Sequence, residues 1–368
     1  MMTINKQLEY DLTTFLGDTW LTYCELMPRL MLASPPGHIL KKNQTLEKLW
    51  ECRGIPTDII TAHLKDAVKK INANELVASN PYYQRIKPQK AKFKDLALDY
   101  VTFEAGEIDA IEQEYLTEDR LLQVPVAVHT HKFKALSLSR HHRTWMSITP
   151  NEISTMKAHI EQAHGKVLTA GLGLGYFTYM CALKEEVESV TVIEGNPDII
   201  EFFEQQIFPQ FESHIQDKIT IISSDYFDYI DHHNIKQIYD FAFIDIYYGG
   251  SDASAVYTLS EEVLYHYEGP CDVHYWLEEG IQLRMQIGLA FGLYHKFIAQ
   301  ISEEEAFQAI WAVSLGDEHT FRLFAKMIGW VYRNVYTLGT SEEAFRLIFD
   351  SSCYKMLAAY TEHFKDYM

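Results

Sequence analysis

The stretch Val167 to Gly175 constrains this chain more than any other. It reads Val-Leu-Thr-Ala-Gly-Leu-Gly-Leu-Gly, an apolar run of strand length ending in three glycines, Gly171, Gly173 and Gly175, each separated by one residue. Tyr176 to Leu183 then reads as a helix. Glycines at a strand-to-helix turn permit positive φ and let a ligand touch the main chain. The helix start that follows offers unpaired N–H groups and the positive end of a dipole. Such a turn suits a nucleotide-like ligand. The dinucleotide fingerprint is G-x-G-x-x-G. Here the third glycine comes one residue early and Tyr176 holds the sixth position, which argues against a dinucleotide oxidoreductase.

Three further apolar runs follow in order. Val190 to Ile193 ends in Glu194, about 20 residues past the glycines, where an acidic residue at the end of a second strand meets ribose hydroxyls. Gly195-Asn196-Pro197 comes next, with Asn196 suited to a helix N-cap and Pro197 to the first helical position. Ile219 to Ile222 ends in Ser223-Ser224-Asp225-Tyr226-Phe227. Phe241 to Ile244 ends in Asp245, followed by Ile246-Tyr247-Tyr248. In a doubly wound sheet, ligands bind outside the carboxyl ends of the strands, and all four features fall there.

From about Thr149 to Trp276 the chain resembles the class I S-adenosylmethionine (SAM) methyltransferases, whose first turn is G-x-G-x-G. The resemblance implies an α/β fold with a Rossmann-like doubly wound sheet. It implies SAM as cofactor, with Ala170, Gly171, Gly173, Gly175 and Tyr176 around the first turn. Glu194, Gly195 and Asn196 would lie at the ribose, and Asp225 at the adenine amine with Tyr226 and Phe227 beside the ring. Amino-directed members carry Asp/Asn-Pro-Pro-aromatic at the fourth strand end. Asp245 and Tyr248 match its ends without the prolines, so Asp245, Tyr247 and Tyr248 are expected to face the acceptor. Many members also carry an acidic residue just before the first glycine, where this chain has Thr169 and Ala170. The spermidine-synthase-like branch places a β-hairpin unit ahead of the nucleotide fold, which makes Trp145, Met146 and Ser147 candidates for cofactor or acceptor contact. Its aminopropyltransferases are the second reading, although their Gly-Gly-Gly-Asp-Gly-Gly turn and Asp-x-x-Asp pair are not met. A non-catalytic SAM-binding protein is the third.

At 368 residues the chain is expected to divide. Residues 1–95 read as a helical region that caps the fold or makes a homo-oligomer. Residues 96–148 read as a small β-rich unit, 149–300 as the SAM-binding domain and 301–368 as a helical tail. Thr149-Pro150-Asn151-Glu152 is a capping box with proline at the first helical position, and it marks the start of the third part. Ser302 with Glu305 and Thr340 with Glu343 repeat the box in the tail. In the first part, Ile59 to Ile71 reads as a helix. In the second, Val124 to Val128 and Phe133 to Leu138 are expected to pair around His129-Thr130-His131-Lys132, with both histidines exposed to solvent rather than holding a metal. Cys271 to Trp276 reads as a fifth strand, followed by a helix from about Leu277 to Ala299.

Charge is uneven: residues 1–99 carry 14 Lys+Arg and 11 Asp+Glu, whereas the remaining 269 carry 18 and 40. An acidic catalytic half repels phosphates, which argues against a nucleic-acid substrate, and the helical ends and β-hairpin unit are expected to form a lid, which suggests a small-molecule acceptor. The run Arg85 to Lys94, with its prolines, reads as a solvated linker. Five scattered cysteines without a C-x-x-C motif suggest buried thiols in a reducing cytoplasm, and no metal site is expected. The N-terminus lacks a signal pattern, and no apolar run reaches the length of a membrane span.

Overall fold

The computed structural model describes residues 5–17, 32–33, 37–64, 68–110, 115–116, 122–123, 125–247 and 250–313, with single residues and short pieces between 322 and 332. At its centre is an all-parallel sheet of five strands: β1 (Gly165–Ala170), β2 (Val187–Glu194), β3 (Ile219–Ser223), β4 (Phe241–Ile244) and β5 (Asp272–Tyr275). Their spatial order is β3-β2-β1-β4-β5, so the chain reverses direction across the sheet beside β1. This mixed α/β arrangement is compatible with a Rossmann-like fold. Val167 to Ala170 and all four residues of β4 are buried. Successive strand residues point to opposite faces, so both faces of the sheet are covered. Helices α1 (Pro150–Gln162), α2 (Tyr176–Ala182), α3 (Pro197–Gln206), α4 (Tyr226–His232), α5 (Gly250–Tyr265) and α6 (Glu278–Leu293) alternate with the strands. The edge strand β3 is only partly buried.

The local chemistry that starts these helices is visible. Thr149 caps α1 by accepting from the Glu152 N–H at 3.3 Å. Asn196 accepts from Asp198 N–H at 3.0 Å, and Asp225 Oδ1 from Phe227 and Asp228 at 2.8 and 3.2 Å. Gly175 opens α2 with φ of 72°, a conformation that needs the missing Cβ. The expected long helix after β5 is present as α6, which continues as a π-helix over Tyr294–Ala299. Ser302 and Glu305 form a complete capping box ahead of Glu303–Val313. Thr340 and Glu343 lie outside the described residues.

Two smaller sheets precede α1. One is antiparallel, in the order Ala91–Phe93, Leu96–Phe103, Phe133–Arg140 and Arg143–Ser147. Its last hairpin turns at His141-His142, both with positive φ, as a two-residue type I′ loop requires. The other sets Val126–His129 between Val68–Ile71, which is parallel to it, and Ile108–Ala110, which is antiparallel. The pairing of 124–128 with 133–138 expected from the sequence is therefore not formed. Phe133–Arg140 takes Leu96–Phe103 instead, an eight-residue partner in continuous register. Nor does one helix cover 59–71: the helix is Thr57–His63, and Val68–Ile71 is a strand, because pairing with a distant strand overrides local propensity. Nor does His129 lie at the surface. It is fully buried, stacked on Phe103 at 4.7 Å between ring centroids, with its Nε2 3.4 Å from Asp109 Oδ2. His131 is exposed.

The first part of the chain packs onto the sheet rather than standing apart. Leu8, Leu12 and Phe15 share one core cluster with β1, β2 and β4. The short helix Pro81–Arg85 grips the glycine turn. The Tyr82 hydroxyl donates to Leu174 O at 2.6 Å, and Asn80 Nδ2 donates to the Tyr176 hydroxyl at 2.9 Å. Among the described residues, Cys52 is exposed and Cys181 and Cys271 are buried. No helix among those residues is long and apolar enough to cross a membrane.

Candidate functional site

The carboxyl ends of β1 to β4 surround a cleft of about 580 Å³. Met146, Gly171, Gly173, Tyr176, Glu194, Gly195, Asn196, Asp225, Tyr226, Phe227, Asp245 and Tyr247 line it, together with Trp145 and Ser147. Two of the expected residues stand behind the wall. Ala170 is the fully buried last residue of β1, and its carbonyl accepts from Asp245 N–H at 2.9 Å. Gly175 backs onto α3: a Cβ there would come within 2.4 Å of Phe203 Cε2. Tyr248 lies outside the described residues.

The glycine turn and β4 interlock. Gly171 has φ of 97°, and a Cβ on it would sit 2.0 Å from the carbonyl oxygen of Asp245. Only glycine lets the two strand ends come this close, which brings Asp245 beside the turn. Gly173 faces the cleft, where an added Cβ would meet Met146 Sδ at 3.5 Å.

Glu194 ties two loops together. Its Oε2 accepts from Leu172 N–H at 3.1 Å and its Oε1 from Asn196 N–H at 2.8 Å. Burial raises the pKa of this carboxyl, and the backbone donors of Leu172, Asn196 and Gly195 pull it back down. Each oxygen keeps a further lone pair for a ligand hydroxyl. Asp225 spends Oδ1 on its helix cap, while Oδ2 makes no hydrogen bond among the described residues. Tyr226 and Phe227 stand behind it, edge to face at 5.2 Å.

The opposite wall carries a residue that sequence reasoning missed as functional. Glu152 was assigned to the capping box of α1. In the complete box at Ser302, the Glu305 carboxylate reaches back to the Ser302 N–H at 2.9 Å. At Thr149 only the forward half forms, and the Glu152 carboxylate lines the cleft instead. Burial raises its pKa to about 7. Asp245 is raised well above the usual carboxylate range, first by burial and second by the charge of Glu152. Neither carboxylate makes a hydrogen bond or ion pair with the described residues, so water or a ligand must satisfy both. The signal that could have found Glu152 is its place in the first turn of the helix that leads into β1.

Tyr247 serves the wall more than the opening. Its hydroxyl donates to Trp276 O, and its ring stacks on Trp276 at 6.0 Å. Trp145 is held from outside by the Arg140 guanidinium, 5.1 Å above its ring. In sum, four carboxylates line the cleft (Glu152, Glu194, Asp225 and Asp245), and no Lys, Arg or His among the described residues does. No group of three His, Cys, Asp or Glu among those residues is placed to hold a metal ion.

No family model matches the sequence, and no curated protein matches it. Among solved structures, a probable spermidine synthase from Corynebacterium glutamicum is similar at a TM-score of 0.28 and 11% identity, over 48% of this chain and 60% of that one. The match thus spans less than two thirds of that protein, and a likeness this slight carries no argument about activity.

Proposed function

We propose that the chain is a class I SAM-dependent methyltransferase acting on a small-molecule acceptor. One observation carries the reading: four strand ends in consecutive order deliver a glycine turn, Glu194, Asp225 and Asp245 to a single cleft large enough for an adenosyl compound. Glu194 would hold the ribose hydroxyls, for which it has acceptor capacity left. Asp225 Oδ2 would accept from the adenine amine, with Phe227 against the ring. Gly171 and Gly173 keep side chains off the turn where the methionine part would lie. When bound, the sulfonium would supply an activated methyl carbon for in-line displacement by the acceptor's lone pair. The chain's own contribution is alignment and exclusion of water. Asp245 and Glu152, at the same end of the cleft as the glycine turn, would face the acceptor and take a proton from it.

A second reading, aminopropyl transfer from decarboxylated SAM, is favoured by the charge of the lining. The carboxylate of SAM finds no cationic side chain among the described lining residues, whereas the decarboxylated compound has no such group to satisfy. The same lining disfavours a dinucleotide, whose phosphates four carboxylates would repel. Calorimetric titration with SAM, S-adenosylhomocysteine and methylthioadenosine separates the readings. Tight S-adenosylhomocysteine binding supports methyl transfer, and preference for methylthioadenosine supports aminopropyl transfer. Heat from none of the three would overturn both.

A further inference from the structure

A second cavity, of about 260 Å³, lies between the helix Pro81–Arg85 and the antiparallel sheet. Its chemistry is opposite to that of the acidic cleft. Phe133 and Leu136 give it an apolar floor, and Lys87, Lys132 and Lys134 stand at its rim. The register of the sheet sets Tyr100 opposite Leu136 and Thr102 opposite Lys134, so Tyr100, Leu136 and Lys134 share one face. Lys132 is engaged with Glu104 at 2.5 Å. Lys87 and Lys134 form no ion pair among the described residues. Asp99, the acid that Lys134 feels at longer range, is bound to Lys90 at 2.5 Å. Two exposed cations therefore flank an apolar pocket floor.

We propose that this cavity binds a small oxyanion with an apolar body, a monocyclic carboxylate or phosphate ester. Its ring would lie on Phe133 and Leu136, and its charge between Lys87 and Lys134. The cavity's rim disfavours cations. The site is also wired to the cleft. Tyr82 and Tyr83 line the cavity with their rings. Their hydroxyls donate to the carbonyls of Leu174 and Ile148, both of which line the cleft. A ligand seated here would press on the two residues that hold the glycine turn and the entry to α1, and so bear on the cleft without occupying it.

The test is titration of the full chain with phenyl phosphate by calorimetry, with benzylamine as the cation of similar shape. The expected result is saturable one-site binding of phenyl phosphate and none of benzylamine. The double variant Lys87→Ala/Lys134→Ala, both sites exposed and so without consequence for folding, should weaken phenyl phosphate at least about tenfold, the scale of losing charge-assisted contacts. Absence of saturable binding, equal binding of benzylamine, or an unaffected double variant would each overturn the proposal.

Discussion

Glu194 and Glu152 line the same cleft from opposite walls, and burial raises the pKa of both. Glu194 is built in: two backbone N–H groups from two loops end on its oxygens. Glu152 is left over: its carboxylate declines the capping contact that its position offers, and it sits near a second uncompensated acid, Asp245. A buried carboxylate that is hydrogen-bonded stabilises the fold that surrounds it. One that is not costs stability and persists where a ligand supplies the partner. The wall holding Glu194 thus reads as architecture that also binds, and the wall holding Glu152 and Asp245 as binding surface alone.

The largest expected effect falls where the two walls meet. Gly171→Ala puts a Cβ into the Asp245 carbonyl at a φ that alanine disfavours. It should cost about 3 kcal/mol or more, or prevent folding, as read by urea denaturation. A stable variant would mean that the walls do not interlock as described. Next, Glu194→Ala leaves the Leu172 and Asn196 N–H groups without their acceptor. It should lower stability by about 1–3 kcal/mol and weaken SAM binding on the same scale. Unchanged affinity would count against the ribose assignment.

Glu152→Gln should act in the opposite direction. The folded protein holds the Glu152 proton more tightly than the unfolded chain does, so its contribution to stability is full below about pH 4.5 and lost as pH rises through about 7. Thermal unfolding across that window should show stability falling on the order of 1–3 kcal/mol in the wild type and by less in Glu152→Gln. Above pH 7 the variant should be the more stable of the two while turning over more slowly. A variant less stable than wild type at pH 8 would move Glu152 into the architectural class. The smallest effect belongs to Asp225→Asn. Asparagine caps a helix about as well as aspartate, so stability should move by less than about 0.5 kcal/mol. Weaker binding of SAM would then report the loss of the Oδ2 acceptor, which the asparagine amide replaces with a donor.

The same contrast explains what could be read from the sequence. β1 to β4 and the residues at their ends were legible because each is a short apolar run stopped by glycine or a polar residue. Those signals are local, and they persist in the fold at Glu194, Asp225 and Asp245. The region ahead of α1 was not legible in this way. Val68–Ile71 becomes a strand only through Val126–His129, nearly sixty residues away, and His129 enters the core because Phe103 and Asp109 meet it there. Glu152 was hidden for a different reason. Its position satisfies a capping rule, and nothing in Thr149-Pro150-Asn151-Glu152 tells whether the side chain turns back to the helix end or outward to the cleft. The packing roles of Gly175 and Ala170 likewise depend on partners, Phe203 and the Asp245 backbone, that no spacing reveals.

The central claim, that the cleft is a site for an adenosyl sulfonium, is tested most directly by calorimetric titration of the purified chain with SAM, S-adenosylhomocysteine, methylthioadenosine and NAD in parallel. Saturable binding of at least one of the three sulfur compounds and silence from NAD are expected. Binding of NAD, or silence from all four, would contradict that claim.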